Sequence, residues 1–339
     1  MPIWTDIITP AELTGYARAA QADYELAKGT LARWLPYNEV SDVVARFVAG
    51  GSGLVQEARY RAYDAEPEVG KADAGKRITI ELPAVSQNIP VSEYQQLRMR
   101  NASDQAIRDQ ILKTTRRVVQ AICDRTERTR GVVLATGIAT VNQSNYSLSD
   151  NFGRTAGHTV TAGSLWTTAG VDRLAYLQTL YDLYMTTNGV APGAIVGSTR
   201  VFRALQSGSQ FATQLGNGAS RPALASEVNA LIEGAGLPPF YPYDRRTSAG
   251  RVLADDVLLM LPAPVDPNDP EGTELGATFF GQTLTSTDPL YGLEDAEQPG
   301  IVAGAYRGDK PPMIAEVIGD AIALPVLANA DLSLAAKVL

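Results

Sequence analysis

A chain of 339 residues with one histidine and one cysteine has little of the equipment that most side-chain chemistry uses. His158 lies in a stretch rich in glycine and threonine, and Cys123 lies on the apolar side of a long helical pattern. They exclude the usual zinc constellations, and any Ser–His or Cys–His nucleophile would depend on these two residues alone. Asp266, Asn268, Asp269, Glu271 and Glu274 gather oxygen atoms in one loop, which is the chemistry of a calcium site. Their spacing is not that of a calcium loop, and Pro267 and Pro270 read the stretch as a solvated turn. Gly50, Gly51 and Gly53 could cradle a phosphate only with a Lys-Ser/Thr pair opening a helix behind them. None follows, so they read as a joint. Asp255-Asp256 reads as a turn before an apolar run, and Arg116-Arg117 could meet phosphate or form a solvated helix face. No catalytic, metal or cofactor constellation emerges, and the expectation is a structural protein that is not an enzyme.

The element on which the rest is arranged runs from Ser103 to Gly131. Ser103 can cap its first turn, Gly131 can end its last, and neither glycine nor proline interrupts it. A helix over about 104–130 would be near 40 Å long at ~1.5 Å per residue. Ile107, Ile111, Val118 and Ile122 recur with helical spacing beside a second row of Leu112, Val119 and Cys123, so one side is buried. The other side carries Arg108, Lys113, Arg116, Arg117, Arg125, Arg128 and Arg130 against Asp104, Asp109, Asp124 and Glu127. This net basic rod sits inside a chain of net charge −8, which argues against general nucleic-acid binding and leaves any such contact local. With 45% hydrophobic and 19% charged residues the chain reads as globular, large enough for two compact parts plus extensions. No basic start followed by an apolar core opens it, and no apolar run reaches ~18 residues, so a soluble protein is expected.

Ahead of the rod, Thr9-Pro10-Ala11-Glu12 is a capping box. Leu13, Ala17, Ala20, Tyr24, Ala27, Leu31 and Trp34 then form a seam, weakened by Gly29 and closed by Pro36. Its small residues favour docking onto the body or a neighbouring subunit over coiled-coil self-association. A long β-hairpin is expected next, with Val55 to Asp64 as one strand, a polar tip from Lys71 to Lys76, and 77–82 as the return. With so little apolar surface it needs a partner. After the rod, 131–162 reads as strands and loops. Strands and helices then alternate from Thr168 to Gly281: helices at 168–187, 199–206 and 225–234, strands at 194–197, 239–243, 257–261 and 277–281. That alternation predicts an α/β unit over about 163–298. Strands return at 301–306 and at 313–324, the latter interrupted by Gly319-Asp320.

This order of parts resembles the tailed-bacteriophage major capsid protein of the Hong Kong 97 type. Arg77 to Val91 (RITIELPAVSQNIPV) is similar to the return strand of that family's extended loop. Pro192 to Leu205, Gly236 to Asp244 with Arg251 to Pro262, Gly276 to Gly281, and Ala323 to Val338 resemble successive parts of its later half. The resemblance covers about 35–339 and is nearest to phages of actinobacteria. It implies an α+β capsid fold with an N-terminal arm (1–50), an extended hairpin loop (51–84), a peripheral domain with a spine helix (85–162 and 299–339) and an inserted α/β axial domain (163–298). It also implies a major capsid protein that assembles, as pentamers and hexamers, into the icosahedral shell around double-stranded DNA. Assembly would take place in the host bacterial cytoplasm, with a portal, a separate scaffolding protein because no scaffolding segment precedes the arm, and a possible decoration protein. Contact with packaged DNA would be weak and non-specific, and no membrane is involved. Val55, Tyr60, Tyr63, Lys71, Lys76, Ile78 and Ile80 would form the intersubunit hairpin, and Leu13, Tyr24, Leu31 and Trp34 would pack the arm. Arg108, Lys113, Arg116 and Arg117 would form an interior basic face. Some members crosslink a hairpin lysine to an asparagine, for which Lys71, Lys76 and Asn329 are the candidates. The alternative on the same fold is an encapsulin-type compartment that holds cargo proteins.

Overall fold

In the computed structural model, the described residues are 3–49, 76–98, 103–143, 146–214, 220–268 and 273–339. The expectations for Gly50, Gly51, Gly53, Val55, Tyr60, Tyr63, Lys71, Asp269 and Glu271 fall outside them.

The chain begins with α1 (Pro10–Lys28), where Thr9 Oγ1 accepts the Glu12 N–H at 3.3 Å and Pro10 occupies the first turn. The seam does not continue as one helix to Pro36. Gly29, at φ 75°, ends α1 in a conformation that favours glycine, and a separate tight turn, Leu31–Arg33, carries the next part of the seam. Ala27, expected in the seam, is exposed. There follow β1 (Tyr37–Glu39), β2 (Val44–Ala49), β3 (Lys76–Glu81), β4 (Ala84–Val91) and α2 (Glu93–Arg98). Among the described residues the partner of the 77–82 strand is β2, which starts at Val44; the register runs from Val44 opposite Glu81 to Ala49 opposite Lys76. Alternation at 44–49 is weak because Arg46 intrudes, which is why the sequence did not mark it.

The spine is α3 (Asp104–Thr136), 33 residues and so about 50 Å long. Ser103 caps its start, but Gly131 does not end it: the left-handed cap is Gly137, at φ 72°, whose N–H meets the Val133 carbonyl at 2.8 Å. Gly131 serves a different need, since a Cβ there would lie 2.6 Å from the Val252 carbonyl oxygen. The Arg154 guanidinium closes the far end by donating to the carbonyls of Leu134 at 2.5 Å and Ala135 at 3.0 Å.

Beyond the spine come β5 (Ile138–Gln143), β6 (Tyr146–Asn151), β7 (Thr159–Thr161), α4 (Arg173–Asn188), β8 (Ala194–Gly197) and α5 (Thr199–Gln206). They are followed by β9 (Thr213–Gln214), β10 (Ser220–Arg221), α6 (Ala225–Gly234), β11 (Phe240–Pro242), β12 (Arg246–Thr247), β13 (Gly250–Arg251), β14 (Val257–Leu261) and β15 (Gly276–Gly281). The last strands are β16 (Val302–Arg307), β17 (Ala315–Leu327) and β18 (Leu334–Lys337).

Two sheets organise these elements. In the first, β1, β15, β17 and β16 lie in that order and β4 also pairs with β17. In the second the order is β11, β8, β14, β18, β7. The divisions drawn from sequence therefore shift. β15, expected in the α/β unit, pairs with β17 beneath the spine, while β7 and β18, expected in the peripheral part, complete the other sheet. A strand as continuously buried as β15 has no face to reveal which sheet it joins.

β17 runs unbroken through Gly319-Asp320, where an interruption was expected. Ala315, Val317, Gly319, Ala321 and Ala323 are all buried, and Val317, Ala321 and Ala323 share a core with Ile111, Val118, Val119, Ile122 and Cys123 of the spine. Leu13 and Ala17 of α1 seal the same cluster. The larger core lies between α4, α5 and the second sheet and takes in Leu31, Trp34, Ala45, Ile80 and Leu82.

Candidate functional site

The sequence places Glu127 and Arg130 on the spine's charged side. In the structure both, one turn apart, are fully buried where α1, α3, the 29–37 segment and the strand β15 meet residues 243–245. One Glu127 oxygen accepts the Leu31 N–H at 2.7 Å and the Tyr243 hydroxyl at 2.5 Å. Its other oxygen accepts the Thr30 hydroxyl at 3.1 Å and Arg130 Nη1 at 3.0 Å. Arg130 Nε donates to Thr278 Oγ1 at 2.8 Å, its Nη1 lies 3.5 Å from Glu25, and its guanidinium sits over the Tyr37 ring at 5.0 Å. Arg245 donates to the Gly29 carbonyl at 2.9 Å and to Asp124 at 3.2 Å, and stands over the Tyr24 ring at 5.1 Å.

Each carboxylate in this cluster receives one tyrosine hydroxyl: Glu25 from Tyr37, Asp124 from Tyr24 and Glu127 from Tyr243. Burial is the first cause that pushes all three phenols above their ordinary range, with the neighbouring carboxylates adding to it. Arg130 and Arg245 face Glu25, Asp124 and Glu127, two positive charges against three negative ones, and both guanidinium groups are held in the charged form. Desolvating such charges costs several kcal/mol each unless they are paired; both Glu127 oxygens are engaged, whereas Arg130 Nη2 and Arg245 Nε have no hydrogen-bond partner among the described residues. The cluster is a fixing point with every carboxylate already engaged. From sequence, Glu127 and Arg130 gave a faint signal, since they flank the apolar rows.

The other expected positions are scattered. Leu13 and Leu31 are fully buried, Tyr24 is half-buried in the cluster, and Trp34 donates its indole N–H to the Pro262 carbonyl at 3.0 Å beside the Tyr241 ring. Ile80 is 4% exposed and lies opposite Ala45, so its own chain already covers it. Lys76 and Ile78 lie on β3 opposite Ala49 and Phe47. Arg108 pairs with Glu12 of α1, whereas Lys113, Arg116 and Arg117 are exposed and, among the described residues, make no ion pair. Arg128, expected on the same face, donates to the Ala249 carbonyl.

His158 is buried against the Tyr184 ring, 6.4 Å between centroids, and neither ring nitrogen has a partner among the described residues. Asp255 and Asp256 pair with Arg200 and Lys337, and Asp266 accepts the Asn268 N–H of its own turn. Among the described residues, no three His, Cys, Asp or Glu side chains stand close enough together to hold a metal ion, and no helix is long and apolar enough to cross a membrane.

The α+β fold is similar to that of solved phage proteins. A structure described as a prophage capsid protein from E. coli CFT073 is similar at TM-score 0.61 and 14% identity, covering 96% of this chain and 99% of that one. A phage-related protein from Bordetella bronchiseptica RB50 is similar at TM-score 0.58 and 14% identity, covering 96% and 95%. These likenesses define the fold as that of phage capsid proteins. The family described as phage major capsid protein E matches over residues 48–268, and the chain belongs to that family. Among curated proteins none matches. The protein is a phage capsid shell protein.

Proposed function

We propose that the protein is the major capsid protein of a tailed bacteriophage, of the Hong Kong 97 type, and forms an icosahedral shell of pentamers and hexamers around double-stranded DNA. The family match over residues 48–268 carries this reading, and the length and sheet contacts of α3 support its role as a spine. The encapsulin alternative gains nothing from the family match. In the proposed shell, Lys113, Arg116 and Arg117 would face the interior. A separate scaffolding protein and a portal would assemble with it in the host cytoplasm. A decoration protein on the outer surface is compatible with this.

Electron microscopy and sizing of the protein purified from producing cells test the reading. Closed particles of megadalton mass that protect duplex DNA from nuclease are expected. Particles that hold only cargo proteins would replace the phage shell by a compartment, and a small oligomer in every preparation would end both.

A further inference from the structure

The Glu25–Asp124–Glu127–Arg130–Arg245 cluster joins three parts of the chain, and one of its members reaches all of them. Arg245 comes from the segment after β11, at the edge of the second sheet. Its guanidinium, 1% exposed, grips the carbonyl of Gly29 at the end of α1, while the same fork reaches Asp124 at 3.2 Å and Glu127 at 3.8 Å on the spine. From the other side, Tyr24 and Glu25 on the last turns of α1 hold Asp124 and Arg130. The first turns of α1 are fixed separately, by Leu13 in the spine core and by Thr14, which donates its hydroxyl to the Ala303 carbonyl and accepts the Ala303 N–H.

The last turns of α1 have room to move. A cleft of about 960 Å³ opens beside them, lined on the helix by Arg18, Gln21, Ala22, Glu25 and Leu26 and across from it by residues 264–268. Leu26 projects beside it 88% exposed. Gly29, at φ 75° and ψ 149°, lies in open space, since a Cβ there would meet nothing within 4 Å, and it separates the end of α1 from Leu31 and Ala32, which are fixed in the core. A polar fastening at one end of a helix, an apolar anchor at the other, a glycine joint and an adjacent open cleft are the parts of a latch.

We propose that Arg245 is a conformational latch: it locks the C-terminal end of α1 to the spine, so that the second sheet can shift against the spine only when that end of α1 is released into the cleft. Subunits that meet at more than one angle in a closed shell need such a joint. The latch is nonetheless a property of the single chain, and its test does not depend on the shell reading.

Hydrogen–deuterium exchange on the full chain, read peptide by peptide, tests it. Arg245→Met should raise exchange at 26–34 by about tenfold or more, together with 243–252, while 11–18 stays protected. Arg245→Lys, which keeps the charge but loses the fork, should fall between. The reciprocal change, Asp124→Asn with Tyr24→Phe, touches only the α1 and spine side and should loosen 243–252; it also serves if Arg245→Met does not fold. A matched control, Arg221→Met, breaks a pair with Glu227 far from the latch and should leave 26–34 unchanged. Faster exchange confined to the side that carries the substitution, or spread evenly over the whole chain, would overturn the proposal.

Discussion

Gly319 of β17 lies directly against Val118 of the spine, so close that a Cβ on the glycine would stand 2.5 Å from Val118 Cγ1 and 3.2 Å from Ile122 Cδ1. The contact sets how near the helix can approach the sheet, because Val118 is a fully buried, β-branched side chain whose Cγ1 has little freedom to turn away. Gly319→Ala should therefore destabilise the chain by about 1–3 kcal/mol, the usual cost of overpacking. Thermal unfolding of the unassembled protein measures it. Adding Val118→Ala should return part of the loss, and two strictly additive penalties would show that the strain lies elsewhere.

The buried ion cluster makes a second prediction. Arg130→Met takes from Glu25 its guanidinium partner and leaves Glu127 with Arg245 alone at 3.8 Å, and breaking a buried pair in this way costs about 3–5 kcal/mol. Combining it with Glu127→Leu should be milder than either change alone would suggest, since no lone charge then remains buried on the spine. Denaturant midpoints of the three variants decide it, and a negligible loss for Arg130→Met would mean that water replaces the guanidinium.

Local signals read from the sequence located α5, α6, β8 and β14 because a cap, an apolar run and a following turn all lie within a few residues. Glycine was harder. Gly131 and Gly319 looked like breaks, yet each is present because a distant segment comes within contact, Val252 in one case and Val118 in the other. Glu127 and Arg130 were hard to read for a related reason: a charged side chain on a helix is usually solvated, and Tyr243 and Arg245, which help to bury these two, lie more than a hundred residues away in sequence. Sheet membership of β15, β7 and β18 was hidden likewise, since pairing partners leave no mark on a short buried strand.

His158 gives a pH dependence whose sign is fixed. Burial lowers its pKa from 6.5; Arg154 acts in the same direction and Asp331 opposes them. The unfolded chain thus binds this proton more readily than the folded one. Stability is complete above about pH 6.5 and falls as the pH drops below it. His158→Phe should flatten the slope of stability between pH 6.5 and the onset of general acid unfolding. Identical slopes for the two proteins would show that the ring is not protonated on unfolding in that range.

Trp34 carries a prediction about the segment after α1. The ring is 3% exposed, packs edge-on to Tyr241 and spends its N–H on Pro262, so Trp34→Ala removes a large buried surface and leaves a cavity with an unmet carbonyl. A loss of about 3–5 kcal/mol is expected. Tryptophan deletion that left the melting temperature of unassembled protein unchanged would place the side chain outside the core.

The last prediction concerns Lys113, Arg116 and Arg117, three exposed cations within about a turn and a half of α3, with Asp109 as the nearest acid on the same face of the helix. Arg108, one turn earlier, is already neutralised by Glu12, and Arg128, further along, is tied to Ala249. Lys113, Arg116 and Arg117 thus put a cluster of exposed positive charge in the first half of the helix, in a chain whose net charge of −8 would otherwise repel a polyanion. If this face meets packaged DNA, it neutralises two or three phosphates, and the affinity should fall with salt with a slope of about −2 to −3 in log–log terms. Arg116→Glu with Arg117→Glu should remove most of that slope while leaving shell formation intact, because both side chains are exposed and, among the described residues, make no ion pair. Release of DNA from particles, followed as salt is raised, distinguishes the cases. Wild-type and doubly substituted particles that retain DNA equally at every salt concentration would mean that the spine's basic face points elsewhere.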